Sequence, residues 1–167
     1  MNRKAAVMLL FAVVLLTGAG VRFGRFFRER SSSDALAYFY DLSERKLFVA
    51  PRTLVPPIRG INDTEPDGMR AVVVSSSGDP RNKAGQKVAY LEKYSPELKQ
   101  QLESMQAGQE SPPSAGRISR GAAQSFTFVR RLNEETWYPV NSSEAERIMA
   151  EWQVPGADGR VPVVCVP

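Results

Sequence analysis

The sequence predicts an α+β fold in which an N-terminal transmembrane helix precedes a small antiparallel sheet with two short helices on one face. Three observations predict it. An uncharged apolar run stands near the start, several β-rich runs are separated by turn-forming residues, and two short segments carry helix-start signals. We therefore divide the chain into a membrane anchor with its collar, residues 1–30, and one α+β domain, residues 35–167.

The apolar run Ala5–Val21 holds seventeen residues and no charged side chain. As a helix it would span about 25 Å, the short end of what a bilayer core requires. We interpret it as an uncleaved signal anchor. Two alternatives stay open: a cleaved signal peptide that ends at Thr17-Gly18-Ala19, and a buried helix of a soluble protein.

Arginines alternate with phenylalanines directly after the run, over Arg22–Arg30. Rings at the headgroup boundary and guanidinium groups on lipid phosphate are typical of a membrane collar. The excess of basic residues after the run favours a cytoplasmic domain, whereas the early position of the run favours export. We predict a single-pass protein with an extracytoplasmic, periplasmic domain, and lipid-headgroup contacts by Arg22, Arg25 and Arg28.

The formal net charge of +4 arises from the membrane flank. Residues 1–30 carry six basic side chains and one acidic one, and residues 31–167 carry sixteen and seventeen. Because the domain has no excess positive charge, we predict no nucleic-acid partner. Histidine is absent from the sequence and Cys165 is the single cysteine, which excludes an internal disulfide, histidine catalysis and most zinc sites. We predict no metal and no cofactor, and interpret Cys165 as a buried small hydrophobic residue.

The first strands follow from local pattern. Tyr38–Tyr40 and Leu47–Val49 flank a polar turn at Ser43–Lys46, which predicts a β-hairpin. Met69–Ser75 contains three consecutive valines and predicts the strongest strand, with Lys87–Glu92 as its partner.

Ser95 and Pro96 are typical of the N-cap and first position of a helix, and Gly108 of its end. The spacing places Gln101 on the solvated side. The inward face is predicted to comprise Leu98, Leu102 and Met105.

The last third of the domain begins with a flexible loop over residues 107–124, rich in glycine, serine and proline. Strands are predicted over Ser125–Leu132, Thr136–Val140 and Val161–Val166. A capping box formed by Ser143 and Glu146 predicts a helix over Glu144–Trp152. Its inward residues are predicted to be Ile148, Met149 and Trp152.

A catalytic site is hard to find in this composition. Ser43 and Lys46 match the S-x-x-K pattern of Ser/Lys hydrolases, but they lie in a predicted turn and not at the start of a helix. We therefore predict a domain that is not an enzyme, with no catalytic residue.

The segments YFYDLSERKLFVAP, RAVVVSS, KVAYLEKYSPELK and WYPVNSSEAERIM resemble a family of small membrane-anchored proteins of planctomycete- and verrucomicrobial-type bacteria whose role is unknown. The resemblance implies association with the cell envelope and carries over no site residue.

The leading hypothesis is a membrane-anchored envelope protein whose domain binds another protein through the aromatic hairpin. The predicted partner contacts are Tyr38, Tyr40 and Phe48. The alternatives are a pseudopilin-like subunit that assembles through its hydrophobic helix and a Ser/Lys hydrolase.

Overall fold

The computed structural model describes residues 36–62, 64–108, 118–156 and 159–167, and these residues have an α+β fold. Leu36–Pro167 forms one compact unit. The predicted class, an antiparallel sheet with two α-helices, is confirmed. The helices are α1, Pro96–Gln106, and α2, Ser143–Glu151. The strands are β1 Leu36–Asp41, β2 Lys46–Pro51, β3 Gly68–Ser75, β4 Gln86–Tyr94, β5 Thr127–Arg130, β6 Tyr138–Pro139 and β7 Val163–Val164.

The predicted anchor Ala5–Val21 and the collar arginines Arg22, Arg25 and Arg28 lie outside the described residues. Within the part of the chain that the structure describes, none of the helices has the length and apolar character needed to cross a membrane.

The strands run antiparallel in the order β2-β1-β3-β4-β5-β6, and β7 pairs with β3. In the predicted hairpin, Tyr38 lies opposite Val49 and Tyr40 opposite Leu47. The pairing of β1 with β3 covers Phe39–Asp41 only, and β7 pairs with Val74 and Ser75 further along the same strand. Strand β4 pairs with the other edge of β3, so β1 and β7 share one edge of β3.

Two clusters of buried side chains lie on opposite faces of the sheet, since neighbouring residues of a strand point to opposite sides. The first cluster contains Met69, Ala71, Val73, Leu91 and Cys165, and the described side chains packed around it come from strands and loops. Cys165 is only 4% exposed, which confirms it as a buried small hydrophobic residue.

Helix α2 packs on the second face. Its Ala145 and Ile148 are buried against Val129 of β5, with Tyr90 of β4 beside them. Tyr90 and Leu91 are consecutive, so the helix and the first cluster lie on different sides of β4. Met149 packs against this second cluster, as predicted.

Helix α1 begins as predicted, with the Ser95 hydroxyl accepting a hydrogen bond from Leu98 N at 3.3 Å and Pro96 at its first position. The predicted inward face is wrong in two places. Met105 is 58% exposed, whereas Gln101 is buried. The Gln101 amide exchanges hydrogen bonds with the backbone of Ile118, at 3.0 and 2.8 Å, and this pairing allows a polar side chain to be buried.

The predicted capping box at the start of α2 is also wrong. The N-cap is Ser142, whose hydroxyl accepts from Ala145 N at 3.2 Å, and Ser143 is the first helical residue. Either of the two adjacent serines can cap a helix, and Glu146 three residues after Ser143 favours Ser143 in the sequence, but the backbone conformation selects Ser142. Ser142 has φ −93° and ψ 153°, the extended conformation that an N-cap requires.

Later strands are shorter than predicted. A 3-10 helix occupies Ala122–Phe126, so β5 starts at Thr127, and β6 and β7 have two residues each. Residues 109–117 of the predicted loop lie outside the described residues.

An apolar cleft of about 170 Å³ lies where β1 separates from β3. Leu36 and Ala37 line it on one side and residues 164–167 on the other, with Ala71–Val73 of β3 between them. The described unit therefore begins and ends at the same cleft.

Candidate functional site

The structure separates the three predicted partner contacts. Phe39 and Phe48 lie opposite each other on one side of the hairpin, with ring centroids 5.8 Å apart. Tyr38 and Tyr40 alternate with Phe39, so they point to the other side and pack partly buried against the first cluster. Phe48 therefore does not share a face with the two tyrosines.

Two residues that sequence reasoning did not single out stand beside the tyrosines. Leu47 and Val49 of β2 lie opposite Tyr40 and Tyr38, and they are 38% and 46% exposed. We call these four side chains, Tyr38, Tyr40, Leu47 and Val49, the hairpin face. It is apolar, and half of it belongs to the edge strand of the sheet.

A cleft of about 420 Å³ adjoins the hairpin face at Tyr40. It lies between the β1–β2 turn and the segment that follows β5. Two arginines contribute to its wall, so we call it the arginine cleft. Its lining comprises Tyr40, Leu42, Arg45, Arg130, Leu132 and residues 133–135.

Arg130 is fixed in the cleft by several contacts. Its guanidinium donates to the backbone carbonyl of Glu134 and lies over the Trp137 ring at 4.9 Å from the centroid. The Lys93 ammonium approaches the same ring at 4.5 Å. Partial burial lowers the pKa of both cations, and the charge of Arg130 lowers the pKa of Lys93 further. Positive charge is thus concentrated around Trp137.

The carboxylate of Glu134 is engaged from the opposite side. Its Oε1 accepts from Arg131 at 2.8 Å, and Arg131 also binds Glu144 at 3.0 Å and Glu151. Hydrogen bonds to these acids raise the pKa of Arg131. Because Arg130 and Arg131 are consecutive in the chain, they point to opposite sides, and Arg131 joins the segment after β5 to helix α2.

The turn that carries Arg45 is held by a buried aspartate. Asp41 is fully buried, and it accepts from Ser43 Oγ at 2.9 Å, Glu44 N at 2.7 Å and Ile61 N at 2.6 Å. Burial raises the pKa of this carboxyl, but the three hydrogen bonds outweigh burial and hold the pKa below its usual value. Arg45 itself has φ 53°, the left-handed conformation that suits glycine or asparagine.

The S-x-x-K residues are engaged with acids. The Ser43 hydroxyl donates to Asp41, and Lys46 pairs with Glu44 at 3.4 Å. The structure gives Ser43 a carboxylate partner and does not bring Lys46 to it as a base.

A second polar group lies on the helix side of the sheet. Burial together with the charge of Glu92 raises the pKa of Tyr90 to about 12. Burial also raises the pKa of Glu92, although Arg70 directly across in β3 opposes that shift. In residues 36–62, 64–108, 118–156 and 159–167, no group of three or more metal-ligating side chains comes together.

Comparison of the chain with protein-family models, with curated proteins and with solved structures finds no match in any of the three.

Proposed function

We propose that this chain is a single-pass, membrane-anchored envelope protein whose α+β domain binds another protein through the hairpin face. The domain is proposed to act as an interaction module and not as an enzyme. The observation that carries the proposal is the exposure of Leu47 and Val49 on an edge strand, next to Tyr38 and Tyr40.

Edge strands attract partners because their outer backbone N–H and C=O groups are available for pairing. Among the described strands, β2 has a neighbour on one side only, namely β1. Addition of an extended segment is a common way in which such an edge binds a partner, with alternate side chains supplying specificity. Leu47 and Val49 would then contact the side chains of the added segment on the hairpin face.

The proposed location rests on the sequence. Ala5–Val21 would anchor the chain in the membrane, with Arg22, Arg25 and Arg28 on lipid phosphates and the domain outside the cytoplasm. A reporter that is active only outside the cytoplasm, fused after Pro167, tests this proposal. Activity at full length supports an exported, anchored domain, and activity at reduced size indicates cleavage and contradicts the anchor.

Site-specific photo-crosslinking tests the interaction in cells. A photoreactive residue at position 47 or 49 should give an adduct with one and the same envelope protein. The matched control is position 154, because Val154 is 66% exposed and lies outside the hairpin face. Equal adducts from position 154, or adducts with a second copy of this chain alone, would contradict the proposal.

A further inference from the structure

We propose that the arginine cleft binds a carboxylate side chain carried by the extended segment that lies on the hairpin face. This inference depends on the proposed function for the nature of the partner. It adds that the partner's segment carries an aspartate or a glutamate. This acid follows apolar residues at alternate positions and lies on the same side of the strand as they do.

Tyr40 connects the two surfaces. It lies opposite Leu47 on the hairpin face and also lines the arginine cleft. A strand added along β2 has apolar side chains on one side at every second residue, so its next side chain on that side can enter the cleft. The volume of about 420 Å³ leaves ample room for one acidic side chain.

Charge complementarity indicates an anionic occupant. Arg45 and Arg130 line the cleft, and among the described residues no ion pair within 4 Å engages Arg45. Two carboxylates also line the cleft: Glu134, whose Oε1 accepts from Arg131 at 2.8 Å, and the exposed Glu135, whose charge acts on Arg130. Lys93 behind Trp137 adds a further positive charge that no described carboxylate pairs with. Arg45 is thus the cleft cation that is left for a carboxylate of the partner, with Arg130 and Lys93 as further positive charges nearby.

The same two carboxylates favour a carboxylate over a phosphate as the occupant of the cleft. A carboxylate carries one negative charge and matches the planar fork of a guanidinium group with two parallel hydrogen bonds. A phosphate ester carries close to two charges and would meet stronger repulsion from Glu134 and Glu135.

Calorimetric titration of the full chain in nonionic detergent tests the inference at neutral pH. The probes are two capped pentapeptides, acetyl-Val-Ser-Val-Ser-Glu-amide and the same peptide with Gln in place of Glu, so that the acid lies on the same side of the strand as the two valines. We expect the Glu peptide to bind about tenfold more tightly, because charge-assisted hydrogen bonds are stronger than neutral ones.

Three variants locate the effect. Arg45→Asn removes a charge while keeping a residue that tolerates the left-handed conformation, and it should abolish the preference for Glu by weakening the Glu peptide more than the Gln peptide. Arg81→Asn makes the same charge change at an exposed loop position outside the cleft and should leave the preference intact. Arg130→Lys retains the charge but loses the fork, and it should reduce the preference partly.

Three results would overturn the inference: equal affinity for the two peptides, an equal loss of preference in Arg81→Asn and Arg45→Asn, or binding of N-acetylglutamate amide as tight as that of the Glu peptide. The last result would make the cleft a site for a small carboxylate. The proposed function is judged separately. Crosslinks from positions 47 and 49 without a preference for Glu would refute the cleft inference alone, whereas failure of both crosslinks would refute the hairpin face.

Discussion

At the residue scale, the carboxylate of Asp41 accepts hydrogen bonds from Ser43, Glu44 and Ile61 while fully excluded from water. Asparagine at this position offers one oxygen and an NH₂ group that faces donors. We expect Asp41→Asn to lower the free energy of unfolding by about 2 kcal/mol at neutral pH, because buried donors lose their acceptor. Urea denaturation of the two proteins measures the difference.

The pH dependence of this difference follows from the lowered pKa of Asp41. A carboxyl whose pKa is lower in the folded state stabilises the fold fully above its unfolded pKa, about 4. That stabilisation is lost as the pH falls through the folded pKa. The difference in the free energy of unfolding between wild type and Asp41→Asn should therefore become smaller as the pH of the measurement is lowered from 7 toward 3. A difference that is constant over this range would contradict the role of ionised Asp41.

Gly60 is a second residue on which the packing around Asp41 depends. A Cβ atom at Gly60 would overlap Asp41 Oδ2 and Asp67 Oδ1, and both carboxylates would have to move. We expect Gly60→Ala to destabilise the domain by about 1–3 kcal/mol, the usual cost of forcing atoms into a packed site. Gly121→Ala is the matched control, because Gly121 has φ −70° and open space around it. Thermal unfolding that shows equal shifts for the two variants would refute the steric argument.

At the element scale, helix α2 depends on the serine that caps it. Ser142→Ala should cost about 1 kcal/mol, because Ala145 N loses its acceptor. Ser143→Ala should change stability by less than half of that, since alanine is favourable in the first turn of a helix. Chemical denaturation of the two variants distinguishes the observed cap from the cap that the sequence favoured.

The elements also show where sequence patterns suffice. The hairpin, β3 and β4 were predicted within two residues, because strand periodicity and turn residues are local signals. The inward face of α1 was not predicted correctly, because burial of Gln101 depends on hydrogen bonds with the backbone of Ile118. That tertiary partner is not encoded in the helical period of the sequence. The arginine cleft has the same origin, since Arg45 and Arg130 come together only through the sheet.

At the scale of the whole molecule, the rate at which a reagent labels Cys165 measures how readily the terminal strand β7 separates from the sheet. It lies next to β7, and its backbone N–H donates to Val73 O at 2.8 Å. Burial raises the pKa of its thiol, so the reactive thiolate is scarce. We expect a maleimide to label the folded chain at least about a hundredfold more slowly than the chain in concentrated urea, because labelling requires the terminal strand to open. Mass spectrometry follows the labelling. Equal rates for the folded and unfolded chain would contradict a stably paired β7.

The order of the strands along the chain could be changed in this domain without changing how the strands pair in space. Leu36 and Pro167 line the same small cleft, so a short Gly/Ser bridge could join them. A circular permutant opened within the exposed loop at residues 76–82 would begin at β4 and end at β3, yet would contain every strand pair described above. Such a rearrangement would move the point of attachment to a membrane or a fused protein from the cleft beside Ala71–Val73 to the loop that follows Ser75, and it would leave the hairpin face unchanged. The domain can thus be attached at two different points with one and the same set of contacts.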